Sequence, residues 1–175
     1  MDQKQIIEKL EETLLRRYGC HSDTASPQQI YRSLCYLVNE MLMEKNTQFN
    51  RKTQKEQNKQ VYYMSMEFLV GTSLRNNLYN LGLEELFTQA LDKCGIDIHD
   101  LYEMEPDAGL GNGGLGRLAS CYMDSATTLG IPCTGYSIRY EFGIFKQKII
   151  DGWQMEFPDD WLTMGDVWLV PREDE

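Results

Sequence analysis

From Gly109 to Gly116 the chain reads Gly-Leu-Gly-Asn-Gly-Gly-Leu-Gly, five glycines in eight residues, and a helical pattern follows at once. Apolar residues at Leu115, Leu118, Ala119, Tyr122, Met123, Ala126 and Leu129 recur at three-and-four spacing, which puts them on one helix face. Gly130 supplies the stop and Pro132 forbids continuation. A loop without side chains therefore feeds a helix N-terminus, where unpaired N–H groups and the positive end of the dipole suit an anion, phosphate above all. So many glycines imply positive φ angles or close backbone approach, both of which a side chain would obstruct. A purely structural tight turn is the rival reading. The second candidate is Glu67, directly after the run Val61-Tyr-Tyr-Met-Ser-Met66. That run reads as a buried strand, and open α/β sheets bind ligands at the carboxyl ends of their strands. A helix-start acid or an ion-pair partner is the alternative for Glu67.

The elements that must position these residues can be followed in order. Residues 4–18 predict a first helix, with Ile7, Leu10, Leu14 and Tyr18 sharing a face and Gly19 ending it. Ser26-Pro27 starts a second, with a stripe of Ile30, Leu34, Leu37, Val38 and Met41. Asn46 to Gln60, with Arg51, Lys52, Lys55 and Lys59, reads as a solvated helix extension or linker. Residues 71–81 and 83–94 read as helices parted by Gly82, and a short helical turn near Asp97–Tyr102 leads into the glycine loop. After the central helix the pattern turns to strands. These are Gly135 to Phe142, then Ile144–Ile150 and Trp153–Glu156 flanking Asp151-Gly152, a strong hairpin signal, and finally Val167–Val170. Pro158 to Trp161 reads as a loop or short helix.

The 175 residues are 42% hydrophobic, enough for one domain with a core, and the net charge of −10 argues against a nucleic-acid surface. It does not exclude a local anion site, because oriented N–H groups act at short range. The five cysteines are scattered, no Cys-x-x-Cys occurs, and only His21 and His99 could assist them. Free thiols in a reducing compartment are expected, with no metal. No long uncharged apolar run supports secretion or membrane spanning, so a cytoplasmic location is expected.

The loop satisfies G-x-G-x-x-G twice, yet Met104-Glu-Pro-Asp-Ala108 before it is not an apolar strand, and Gly116-Arg117-Leu118 is not the Gly-Lys-Ser/Thr of a Walker loop. A nucleotide-binding oxidoreductase would rest on the glycines alone. No Ser/His/Asp or Cys/His set can be assembled. Backbone donors plus Glu67 are what the chain offers.

Gly109 to Ser125, together with Gly135-Tyr-Ser-Ile-Arg-Tyr-Glu-Phe-Gly-Ile-Phe145, Asp151-Gly-Trp-Gln-Met-Glu-Phe-Pro-Asp-Asp-Trp-Leu162 and Tyr62-Tyr-Met-Ser-Met-Glu-Phe-Leu-Val-Gly71, resembles the glycogen (α-glucan) phosphorylases. The likeness is dense from about Val61 to Pro171 and looser before it. It implies an α/β fold, the partial N-terminal Rossmann-like domain of a two-domain GT-B glycosyltransferase, carrying N-terminal helices and a β-hairpin region. On this view residues 1–60 form an N-terminal helical segment, and 61–175 an incomplete N-terminal catalytic domain without the second, cofactor-carrying domain.

The resemblance further implies reversible phosphorolysis of an α-1,4-glucan by inorganic phosphate, releasing glucose 1-phosphate. Pyridoxal phosphate is the cofactor, held in the family by a lysine that lies in the later domain. Its 5′-phosphate handles the proton for the incoming phosphate. The positions matching the family's site are Asn112, Gly113, Gly114 and Leu115, with the Gly-Gly-Leu backbone against the substrate phosphate and glucosyl unit. Gly113 and Gly114 lie near the cofactor phosphate, and Glu67 matches an acidic residue close by. A homodimer and allosteric control are family traits. Thr72 stands where many relatives have arginine, and Leu69 where some carry tyrosine near the cofactor. The chain alone is expected to be inactive. A non-catalytic phosphate- or carbohydrate-binding module, or a regulatory remnant, is the alternative.

Overall fold

The computed structural model describes residues 2–172. Its elements are α1 (Gln3–Tyr18), α2 (Pro27–Lys55), β1 (Val61–Met64), α3 (Leu74–Leu81), α4 (Glu84–Asp92), α5 (Ile98–Tyr102), α6 (Gly114–Thr128), β2 (Cys133–Tyr136), β3 (Lys146–Ile150), β4 (Trp153–Phe157) and α7 (Leu162–Gly165), then a 3₁₀ turn at Asp166–Trp168. Helices and strands are thus mixed, in keeping with an α/β protein. The described residues form two compact units that interleave along the sequence. One takes the chain up to Glu44, Thr72–Pro106 and the residues from Asp166 on; the other takes Lys45–Gly71 and Asp107–Gly165.

The first unit is helical. A capping box starts α1, with Asp2 Oδ1 accepting from Gln5 N–H and Gln5 Oε1 accepting from Asp2 N–H, both at 2.9 Å. Gly19, at φ 66°, ends it with its N–H on Leu15 O. Its buried face is Ile6, Leu10 and Leu14, so Ile6 takes the place expected of the half-buried Ile7. Ile30, Tyr31, Leu34, Cys35 and Val38 of α2, Leu74 and Leu78 of α3, and Phe87 and Leu91 of α4 are also buried in this unit. Beyond Glu44, α2 continues to Lys55 as a helix exposed except at Thr53, the helix extension that the basic run suggests.

A buried carboxylate organises the start of α3. Glu105, only 8% exposed, accepts from Ser73 N–H at 2.7 Å, Leu74 N–H at 2.8 Å and the Trp168 indole N–H at 2.8 Å. The Ser73 side chain makes no cap, so Glu105 answers the orphan donors and the dipole together. The expected strand at Val167–Val170 does not form. Asp166–Trp168 is a 3₁₀ turn, held by the Trp168–Glu105 bond and by Asp166 on the Arg32 guanidinium at 2.7 and 3.1 Å.

In the second unit β1 and β2 pair in parallel, Val61 opposite Cys133 and Met64 opposite Tyr136. A parallel pair needs a long crossover, and α6 lies on it. The β1 strand is shorter than expected and not buried, with Met64 84% exposed. Tyr63 is its one inward side chain, within 5.9 Å of the rings of both Phe68 and Tyr122. Strand β2 stops at Tyr136, because the segment after it bonds to loops instead of to a ladder, as described below. The hairpin forms as expected, with Ile150 opposite Trp153 and a turn at Asp151 (φ 51°) and Gly152 (φ 82°).

The stripe on α6 also differs from expectation. Its buried residues are the small ones, Gly116, Ala119 and Ser120, whereas Leu115, Leu118, Tyr122 and Leu129 are half or more exposed. Small residues let the helix backbone approach segment 67–69 closely, and that approach, more than hydrophobicity, sets which face turns inward.

Candidate functional site

The glycine loop and the segment after β1 are laced together. Phe68 N–H donates to Leu110 O at 2.8 Å, Leu69 N–H to Gly116 O at 3.0 Å, and Ala108 N–H to Gly71 O at 3.3 Å. None of the five loop glycines has a positive φ. Three serve close approach. A Cβ on Gly111 would come within 2.9 Å of Leu69 N, one on Gly116 within 3.0 Å of Glu67 Cβ, and one on Gly109 would overlap the Trp161 indole. Glycine is required there because main chain lies against main chain at Gly111, against both Glu67 and the Leu69 main chain at Gly116, and against the indole at Gly109.

This lacing orients Glu67. Its backbone is fixed by Ser65, whose Oγ donates to Glu67 O at 2.8 Å and accepts from Glu67 N–H at 3.2 Å. Its Oε2 accepts from Asn112 N–H at 3.2 Å. Glu67 and Asn112 line a cavity of about 210 Å³ with Gly109 and Gly111 on one side and Tyr140, Phe142, Gly143 and Ile144 on the other. The Tyr140 hydroxyl donates to Met66 O at 3.0 Å, which seats this second wall beside the carboxylate.

Gly113, Gly114 and Leu115 do not line that cavity; they form the start of α6 beside it. Gly113 is the N-cap, in extended backbone and without a side-chain cap, and the first main-chain bond of the helix runs from Arg117 N–H to Gly113 O at 3.0 Å. The N–H groups of Gly114, Leu115 and Gly116 consequently have no intrahelical acceptor. A Cβ on Gly113 or Gly114 would meet no atom within 4 Å, and the Leu115 side chain is 55% exposed. The arrangement offers a carboxylate in a small cavity that Tyr140 and Phe142 help to line, next to helix-start donors on residues with no neighbouring atom where a side chain would stand. Such donors stabilise an anion without reorganising.

Glu67 and Asn112 are thus brought into one contact, with Gly113, Gly114 and Leu115 following directly in the chain. The sequence reading gave no role to the wall Tyr140–Ile144, although the aromatic alternation Tyr140-Glu-Phe142 inside an expected strand was the available signal. Among the described residues no three His, Cys, Asp or Glu side chains converge as a metal set, and all five cysteines carry free thiols. No helix among those residues is long and apolar enough to cross a membrane.

The carbohydrate phosphorylase family matches residues 91–175. The glycogen phosphorylase of Chlamydia pneumoniae is 49% identical over 150 residues, 86% of this chain and 18% of that protein. That of Chlamydia trachomatis is 45% identical over 170 residues, 95% of this chain and 21% of its own length. The chain belongs to the carbohydrate phosphorylase family. The muscle form of glycogen phosphorylase from Ovis aries, 47% identical over 150 residues, shows that the likeness reaches animal members of that family. The chain spans about a fifth of the length of the curated relatives it matches.

Proposed function

We propose that this chain is the N-terminal part of the catalytic apparatus of an α-1,4-glucan phosphorylase, which cleaves glycogen, starch or maltodextrin with inorganic phosphate and releases glucose 1-phosphate. The observation that carries the reading is the unencumbered start of α6: Gly113 and Gly114 with open space beside them and N–H donors lacking helical acceptors, a short step along the chain from Asn112 and Glu67. Sequence likeness to glycogen phosphorylases over most of the chain supports it. In this proposal the fold continues as a two-domain GT-B glycosyltransferase, residues 1–60 being a helical segment and 61–175 part of the first catalytic domain. A homodimer in the cytoplasm is the expected form of the whole protein.

The residues here fit a phosphate group, because the open cradle at Gly113 and Gly114 holds no side chain that would fill it. Pyridoxal phosphate, when bound in such an enzyme, supplies a phosphate that exchanges a proton with the inorganic phosphate. Gly113 and Gly114 are the positions in this chain assigned to lie near it. The Gly114 and Leu115 amides hold the substrate phosphate, and the anion they hold lies beside the positive charge that develops on the glucosyl unit as the glycosidic bond breaks. Glu67 and Asn112 orient the glucosyl unit beside them.

The test is kinetic. A full-length polypeptide carrying this segment releases glucose 1-phosphate from glycogen and phosphate, and Gly114→Val lowers its kcat by about 100-fold, the scale of losing an oriented donor site. A Cβ at Gly114 meets no other part of this chain within 4 Å, so packing within these residues does not account for the loss. Unchanged turnover would remove the α6 start from the mechanism.

A further inference from the structure

We propose that Trp161 is a positioning residue for the Glu67 cavity, one indole that holds both of its walls. The phosphorylase reading supplies what the cavity does; the geometry alone supplies what Trp161 does. The Cγ–Cδ1–Nε1 edge of the ring lies against Gly109, so closely that a side chain there would overlap it. From that same edge Nε1–H donates to Tyr140 O at 3.1 Å.

The turn that carries Trp161 grips the same arm again. Asp159 O accepts from Gly143 N–H and from Trp161 N–H, each at 3.0 Å, and the Asp159 carboxylate pairs with Lys146 Nζ at 3.4 Å. A closed circuit results: Trp161 to Gly109, along the loop to Asn112 N–H, across to Glu67, back through Met66 O to the Tyr140 hydroxyl, and from Tyr140 O to Trp161. Trp161 is 2% exposed, so water does not replace its N–H at the Tyr140 carbonyl. A phenyl ring could fill the contact with Gly109 but could not donate. Indole supplies the ring edge that Gly109 meets and the N–H that Tyr140 O accepts.

The experiment is amide hydrogen exchange on a full-length polypeptide carrying this segment, with Trp161→Phe. Expected is at least tenfold faster exchange at Gly143 N–H and Phe68 N–H, the amides that fasten the two walls. Ala119 in α6 and the ladder amides of β3–β4 keep their native rates. Replacing Trp161 with 4-fluorotryptophan, which retains the N–H, leaves Gly143 at the native rate. If Trp161→Phe does not fold, an isosteric benzothienylalanine, with sulfur in place of the N–H, gives the same selective acceleration. Uniform acceleration through α6 and the hairpin would reduce Trp161 to ordinary packing, and native rates at Gly143 and Phe68 would overturn the proposal. Because exchange needs no catalysis, this outcome is separate from the kinetic test at Gly114.

Discussion

Gly111 and Gly114 stand three positions apart and differ in what a methyl group would meet. At Gly111 it meets main chain, Leu69 N at 2.9 Å and Phe68 C at 3.0 Å, which cannot rotate away; at Gly114 it meets nothing within 4 Å. Gly111→Ala is therefore expected to destabilise by about 1–3 kcal/mol, the scale of forced overpacking, and Gly114→Ala to leave stability within about 0.5 kcal/mol. Urea midpoints of the two variants check this, and equal midpoints would show that the loop does not pack as described. The sequence offered positive φ and close approach as equal reasons for the glycines. Composition alone could not choose, because close approach depends on Phe68 and Leu69, which lie some forty residues earlier in the chain. Separation along the chain also hid Trp161, whose partners Gly109 and Tyr140 are remote in sequence and carry no local pattern that points to it.

Elements were legible where a local signal settles them. Pro27 at the head of α2, Gly19 at the end of α1 and Asp151-Gly152 in the hairpin act through their own backbone preferences, and each stands where the sequence puts it. The inward face of α6, the length of β2 and the turn at Asp166–Trp168 depended on distant partners instead. The join after α1 is such a distant contact of modest reach, and it makes a pH prediction. Burial pushes the Glu11 carboxyl up, but hydrogen bonds from Ser22 and His21, the latter at 2.8 Å, outweigh it and hold the group below its ordinary 4.5. A carboxyl depressed in the folded state contributes stability above its unfolded value, and that contribution is lost as pH falls through the folded value. Stability, read from unfolding followed by helix circular dichroism, should thus fall as pH drops below 4.5, and Glu11→Gln should flatten that part of the profile. Parallel profiles for the two proteins would remove Glu11 from the acid response.

At the scale of the whole molecule, composition indicated a core, and the first unit has a well-filled one; the interleaving of the two units was not legible, since no local pattern says which later segment returns to which earlier one. The second unit is thinner. Its sheets have two strands each, and two-stranded sheets are marginal without further packing. Met64, Ile149, Trp153 and Leu129 are 73–84% exposed. Apolar surface of that kind is covered in most folded proteins. Relatives are roughly five times the length of this chain, which gives them ample polypeptide to cover such surface. Two outcomes follow for the purified 175 residues: an apolar dye binds and fluoresces, and glycogen with inorganic phosphate yields no glucose 1-phosphate, even with pyridoxal phosphate added. In a full-length polypeptide the dye signal falls and Trp153 becomes protected from modification. Glucose 1-phosphate made by the 175 residues would mean that Glu67, Asn112 and the α6 amides suffice for the reaction, because no other part of the enzyme would be present to supply it.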